Sequence, residues 1–335
     1  MKDKVREYLD LVGKTLKQDD FSRLAVLENE TRIFAGIGDL HGHYRALEDL
    51  LYELNDKYLL FNDNGCIREN AQIVFTGDYI DRGNEGLRII EKIIKMQRES
   101  ANIITLFGNH ELMALADLNK VKSYLGRSKI TLKNYKAWTM HGFNGGMEFV
   151  SEFGSTDSEA FANYVNRMSK EGDIGGFLRR CKGMHLADIF GHTALFVHGG
   201  IPYHIDNSQK LEEYNKQFEE LMHMSTSQVG ATRKFFDNSL AGEGSIFWDR
   251  ELNELSDDSV VDRINRINCD YLVIAHTPQR NGRIRSYADR VFNIDIGMNP
   301  RYGNNKPGCI VFKNNGIFSF YTQKGEEKIA DYAKR

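Results

Sequence analysis

Short apolar runs recur along this chain, and each one stops at a glycine or a polar turn. Residues 33–37 lead into GDLHG (38–42), residues 73–76 into GDYIDRG (77–83), and residues 103–107 into GNHE (108–111). Residues 195–197 lead into HGG (198–200), and residues 272–275 into HTP (276–278). Runs this short, bounded by turn residues, predict buried strands. Between the early runs, residues 44–54 and 87–96 carry apolar side chains at helical spacing. Strand, loop, helix, strand is the alternation of an α/β fold. In such sheets binding groups gather beyond the carboxyl ends of the strands, so the five polar clusters are expected to converge.

Residues 112 to about 190 read mostly as helix, with no such cluster among them, and predict an insertion that roofs the crevice and selects substrates. Within it Lys120, Lys122, Arg127, Lys129, Lys133 and Lys136 follow one another without an intervening acid. That stretch is read as a solvated helix face, the alternative being a surface for an acidic or phosphorylated partner. Val5, Tyr8, Leu9 and Val12 share one helical face, so residues 1–30 are expected to form a helical segment packed on the body. One folded unit is expected over residues 31–323, and KGEEKIADYAKR (324–335) is read as a polar tail.

Composition narrows the class. With 335 residues, 41% hydrophobic and 27% charged, the chain can bury a sizeable core and is neither disordered, collagen-like nor membrane-embedded in character. Lys and Arg number 44 against 47 Asp and Glu, a formal charge of −3, so no net basic field draws nucleic acid. Cys66, Cys181, Cys269 and Cys309 are scattered, which points away from a Cys-x-x-Cys zinc or redox site and toward a reducing, cytoplasmic setting. Charges interrupt every apolar run of the opening MKDKVREYLDLVGKTLKQDD, so neither a signal peptide nor a membrane span is expected there.

The clusters themselves carry the chemistry. Asp39 and His41 share the first loop, Asp78 opens the second, Asn109 stands in the third, and His198 and His276 begin the fourth and fifth. Oxygen and imidazole donors without thiolate suit Mn²⁺, Fe²⁺ or Zn²⁺, and a carboxylate at a central strand end can bridge two ions about 3.5–4 Å apart. Asp78 is the candidate bridge. His192 lies in a GHT that imitates the last cluster, yet it precedes its strand and is expected at the opposite end of the sheet. His141, in WTMHGFNGG, follows no convincing strand and is read as part of the helical insertion. His43, His185, His204 and His223 are read as loop or surface histidines.

Taken in order, GDLHG, GDYIDRG, GNHE, HGG and AHT resemble the calcineurin-like metallophosphoesterases, and within them the phosphoprotein phosphatase family, over roughly residues 33 to 297. A single such cluster is weak, because Gly-Asp is a common turn; five in order, each after a predicted strand, are specific. The resemblance implies a β-sandwich flanked by helices, with the helical insertion over the active site. It also implies two divalent ions, Mn²⁺ first, with Fe or Zn as alternatives. One ion would take Asp39, His41 and Asp78, the other Asp78, Asn109, His198 and His276. His110, paired with Asp81, would be the general acid. Arg82 would bind the substrate phosphate with Asn109 beside it, and a second arginine would come from the later half of the chain. FWDR (247–250) makes Arg250 that candidate, with Arg233, Arg280 and Arg283 as substitutes. Glu111 is read as a structural carboxylate at a helix start, and Asp295 as a support of the site without an assigned role.

The implied reaction is direct hydrolysis. An activated water attacks phosphorus in line, His110 protonates the leaving oxygen, and no covalent phosphoenzyme forms. Trp-Asp-Arg at 248–250, Ala-His-Thr-Pro at 275–278 and the W…NGG stretch after Trp138 depart from the eukaryotic Ser/Thr phosphatase pattern and resemble the bacterial-type, Shewanella-like branch. Phosphoserine, phosphothreonine and phosphotyrosine therefore all stay open. The expected partner is a phosphorylated protein, not nucleic acid or membrane, and the sequence sets no oligomeric state. Symmetrical hydrolysis of dinucleoside tetraphosphates is the competing enzyme reading. A non-catalytic metal-binding scaffold is a third, against which the presence of Asp81, Arg82 and His110 argues.

Overall fold

The computed structural model of the chain describes residues 32–125, 130–223, 240–304 and 306–332. Strands β1 (Ile33–Ile37), β2 (Ala71–Phe75), β3 (Ile103–Thr105), β4 (Met184–Ile189), β5 (His192–Val197) and β6 (Tyr271–Ile274) come first in the chain. They are followed by β7 (Arg285–Tyr287), β8 (Val291–Asn293), β9 (Gly308–Lys313), β10 (Gly316–Tyr321) and β11 (Gly325–Ala330). They form a six-stranded sheet, β11-β10-β9-β1-β2-β3, and a five-stranded sheet, β4-β5-β6-β8-β7. The pairs β1·β2, β2·β3, β5·β6 and β6·β8 are parallel, and the remaining pairs are antiparallel.

The two-residue period of a strand explains how the layers pack. Phe34, Val74, Ile310 and Phe312 of the first sheet meet Phe196, Val273 and Phe292 of the second in one buried cluster. The alternate residues Ile33, Ala35, Ile37, Leu195, Val197, Leu272 and Ile274 face a second cluster shared with the helices. Both faces of the central strands are therefore buried, which is why they read as unbroken apolar runs. Helices α1 (Tyr44–Tyr58) and α2 (Gly86–Glu99) connect the first three strands and bury Leu47, Leu50, Leu51, Leu54, Ile89, Ile90 and Ile93 on that outer face. The expected sandwich flanked by helices is the observed fold.

The insertion comprises α3 (Asn109–Leu125), α4 (Leu132–Trp138), a π-helical turn (Gly142–Gly146), α5 (Met147–Ser151), α6 (Asp157–Arg167) and α7 (Asp173–Leu178). Tyr135, Phe149, Phe161, Tyr164 and Phe177 fill its interior. It ends earlier than residue 190, because β4 pairs antiparallel with β5. That strand escapes a periodicity reading because Leu186, an apolar residue, points outward and is 56% exposed. Residues 325–330 are not a polar tail but β11, paired with β10. Glu326, Glu327 and Lys328 supply the polar look, while Ala330 packs into the sandwich interior. Lys122, Lys133 and Lys136 are exposed, as a solvated face requires. The expected helix over 1–30, Arg127 and Lys129 lie outside the described residues. Helices α8 (Ser208–His223) and α9 (Asp257–Arg266) complete the described fold.

Candidate active site

Each of the five loops leaves a strand at its carboxyl end, and backbone hydrogen bonds lace them together. Leu40 N and His41 N both donate to Asp78 O, Gly83 N to His41 O, and Ala275 N to His198 O. Close approach dictates the glycine at the third loop: a Cβ on Gly108 would lie 2.0 Å from Asp78 Oδ1. His41, Asp78, Asp81, Arg82 and His276 all take positive φ, between 45° and 71°. The turns thus hold five of the predicted site residues in a backbone region that L-residues seldom occupy.

The structure brings Asp39, His41, Asp78, Asn109, His110, His198 and His276 into one buried cluster, each at most 5% exposed. Asp78 lies at its centre. One carboxylate oxygen, Oδ2, is 3.4 Å from His41 Nε2 and 3.9 Å from His110 Nε2, and the other, Oδ1, is 3.4 Å from His198 Nε2. Two groups able to hold a metal ion share this residue: His41, Asp78 and His110, and Asp78, His198 and His276. His110, read from the sequence as the acid, thus reaches the first group too. Asp39 stands 3.7 Å from His41 Nε2 and 3.9 Å from His198 Nδ1.

Tautomers follow from the second nitrogen of each ring. His41 Nδ1–H donates to Ile80 O at 3.0 Å, and His198 Nδ1–H to Thr76 O at 2.9 Å, so both Nε2 atoms offer lone pairs. His198 Nε2 then faces Asn109 Oδ1 at 3.1 Å, acceptor against acceptor, and His276 Nε2 is buried with no partner. Lone pairs turned on one another around a buried carboxylate are what a divalent cation relieves, so the donor set fits a metal centre.

Electrostatics point the same way. Burial, Asp295 and Asp78 push the Asp39 carboxyl well above its usual range. Burial also acts on Asp78, but His198 and His110 hold it well below. Burial and the Arg82 charge take His41 down to about 3, and burial with His198 takes His276 well below its ordinary value. Neutral imidazoles are the ligand form. Asp295, fully buried, is pushed up to about 6 by burial, with Asp78 adding to it, and its Oδ2 has no partner.

His110 Nδ1–H donates to Asp81 Oδ2 at 2.5 Å. Burial works to raise Asp81, but His141 and His110 outweigh it and hold the carboxyl low. Arg82 donates from Nη1 to His41 Nε2 and from Nη2 to His110 Nε2, each at 3.0 Å, and its guanidinium lies over the Tyr302 ring, 5.3 Å from the centroid. Arg250 reaches the rim: Nη1 donates to His276 O at 3.0 Å and to Thr277 Oγ1 at 3.2 Å. Arg233 lies outside the described residues.

Two supports were not legible as such. Glu111 does more than open a helix: Oε2 accepts from Asp78 N and Gly108 N, and Oε1 from Tyr79 N and Ile80 N. His141 lies in the insertion, as expected, and is a fully buried partner of Asp81, 2.8 Å from its Oδ1. Its sequence signal, a histidine before a run of glycines, was present but unattached to any strand. His192, in contrast, opens β5 at the opposite end and stacks on Tyr332 at 4.9 Å, as expected of a decoy.

The chain matches the family model of the calcineurin-like phosphoesterases over residues 33–280. It is 24% identical to Shewanella-like protein phosphatase 1 of Plasmodium berghei across 84% of this chain and 72% of that protein. It is 28% identical to the asymmetrical bis(5'-nucleosyl)-tetraphosphatase PrpE of Oceanobacillus iheyensis, but across 50% of this chain, which spans only 56% of that protein's length. Among solved structures, a cold-active protein-tyrosine phosphatase of a psychrophilic Shewanella shares the fold, with a TM-score of 0.62 and 18% identity over 89% of this chain and 80% of that one.

Proposed function

The chain belongs to the calcineurin-like phosphoesterase family, and from that premise we propose that it is a dinuclear metal-dependent phosphoprotein phosphatase, hydrolysing phosphomonoesters of Ser, Thr or Tyr by direct attack of water. The observation that carries the reading is the 2.5 Å His110–Asp81 hydrogen bond set against two potential ion-binding groups that share Asp78. A metal-binding scaffold has no use for that pair. The Shewanella-like relative, aligned across most of this chain with the insertion included, supports a protein substrate over a nucleotide.

Asp39, His41, Asp78, Asn109, His198 and His276 would hold the ions, Mn²⁺ in the first instance. Ions bound there supply a water of lowered pKa and draw charge off the phosphoryl oxygens. Arg82 and Arg250 bind the phosphoryl group from two sides, the planar guanidinium matching paired oxygens better than an ammonium does. A phosphoryl dianion that engages Arg82 takes its guanidinium from His41 and His110. His110 Nε2 is then free to carry a proton to the leaving oxygen while Asp81 stabilises the imidazolium.

The PrpE likeness keeps dinucleoside tetraphosphate hydrolysis as the second reading. The test is turnover by the purified Mn²⁺-loaded chain on phosphoserine, phosphothreonine and phosphotyrosine peptides and on diadenosine tetraphosphate. Higher kcat/KM on a phosphopeptide supports the proposal; preference for the nucleotide replaces it with the second reading, and no turnover of either sinks both.

A further inference from the structure

We propose that His141, contributed by the helical insertion, is a positioning residue for phosphoryl transfer, holding Asp81 and through it the imidazole of His110. The inference rests on the phosphomonoesterase reading of the site.

Asp81 is fully buried and receives one imidazole on each oxygen: His110 Nδ1–H on Oδ2 at 2.5 Å and His141 Nε2–H on Oδ1 at 2.8 Å. With Nε2 donating, His141 Nδ1 is a lone pair, and Tyr135 Oη–H donates to it at 2.5 Å. The backbone that carries the ring is anchored too, because the His141 backbone N–H donates to Asp117 Oδ2 at 2.9 Å. The Tyr164 ring lies nearly parallel to the imidazole, 13° between planes, and Phe149 stands edge-on to it.

The slot is built for that ring. A Cβ on Gly146 would fall 2.5 Å from His141 Cε1 and Nδ1, so only glycine leaves the imidazole its place. The same turn touches the phosphate side of the site, where Gly145 O accepts from Arg82 N at 3.2 Å. One short stretch of the insertion thus braces both residues of the Asp81–Arg82 pair.

The chemistry assigned to the brace balances simply. Water forms the new P–O bond, the bond to the leaving oxygen breaks, that oxygen takes the proton from His110 Nε2, and the proton the water sheds restores His110, leaving alcohol and phosphate as products. Asp81 stays a carboxylate throughout, and His141 neither gains nor loses a proton. Without His141, Oδ1 of Asp81 is a buried anionic oxygen lacking its donor, an arrangement that favours protonation or displacement of Asp81. Either outcome weakens the hold on the His110 imidazolium, so the loss falls on leaving groups that need a proton.

The experiment compares phenyl phosphate, whose leaving oxygen needs protonation, with dinitrophenyl phosphate, whose leaving group does not. His141→Leu is expected to lower kcat on phenyl phosphate ~10–100-fold, a part of what a general acid contributes, and on dinitrophenyl phosphate by only a few-fold. Bound metal per chain stays unchanged. His141→Gln, which restores an N–H near the position of Nε2, recovers part of the loss, and Tyr135→Phe, which leaves the packing intact, shows a smaller loss of the same kind. Equal losses on both substrates, or losses that track metal content, overturn the inference. A second readout needs no turnover: the far-downfield proton resonance of His110 Nδ1–H should shift or vanish in Tyr135→Phe and His141→Gln, and an unchanged resonance overturns the assignment. If the wild-type chain hydrolyses neither ester, the phosphomonoesterase reading fails by itself, and the resonance still decides whether His141 holds the pair.

Discussion

Left-handed backbone at His41, Asp78, Asp81, Arg82 and His276 costs roughly 1–3 kcal/mol per residue, so something must over-determine those turns. For the second loop that residue is Glu111. Its two oxygens accept four backbone N–H groups, from Asp78, Tyr79, Ile80 and Gly108, inside a fully buried pocket. Burial and Asp78 push its carboxyl up to about 8, while the four donors pull toward the ionised form. Glu111→Gln would replace one acceptor oxygen by an amide N–H aimed at backbone N–H groups. The expected cost is roughly 2–6 kcal/mol, since each oxygen accepts two of these donors and each buried donor left without an acceptor costs about 1–3 kcal/mol. The variant should also bind Mn²⁺ more weakly, because the loop it loosens carries Asp78. Thermal unfolding with and without metal checks both; a wild-type midpoint would show that the loop holds its shape without this clamp.

Elements far from the site hold the sandwich that aims it. β11 covers the outer edge of β10, sends Ala330 between the sheets and places Glu326 where Lys313 Nζ–H donates to it at 2.8 Å, with the Tyr58 hydroxyl donating to the same carboxylate. Truncation before Gly325 should therefore lower the unfolding midpoint and cause concentration-dependent aggregation through the bared edge of β10, read by light scattering. On β4, burial and Lys182 take His185 down to about 4 from an ordinary 6.5. A histidine whose folded pKa is depressed gives stability that is present above its unfolded value and lost as pH falls from 6.5 toward 4. The loss is at most about 3 kcal/mol, and His185→Leu should flatten that part of the stability curve measured by urea unfolding. These two strands also mark what the sequence could and could not tell. Strands buried on both faces announce themselves as apolar runs, and polar clusters follow them, so the meeting of Asp39, Asp78, His198 and His276 in one buried place was legible. Edge strands with one wet face, β4 and β11, do not announce themselves. Nor does His141, whose partner Asp81 lies 60 residues away in the chain and is joined to it only by folding.

At the scale of the whole molecule, two sheets fold so that Asp39, Asp78 and Asp295 meet in one buried place with four histidines around them. Asp39 is pushed well above the carboxylate range largely by burial and then by the other two acids, which measures how poorly the site tolerates its own charge. Cations that bind the folded chain and not the unfolded one convert this tension into stability, by about 2.7 kcal/mol at a free concentration a hundred times Kd. Chelation should accordingly lower the unfolding midpoint, and added Mn²⁺ should raise it in a concentration-dependent way. Asp78→Asn should lose the metal response, because both groups able to hold an ion share that carboxylate. Asparagine keeps the size of the side chain and tolerates positive φ, so the variant isolates charge from backbone strain. An unchanged midpoint across chelator and metal in the wild-type chain would mean that the buried acids are balanced by protons alone, and the lone pairs of His198 and His276 would then need another explanation.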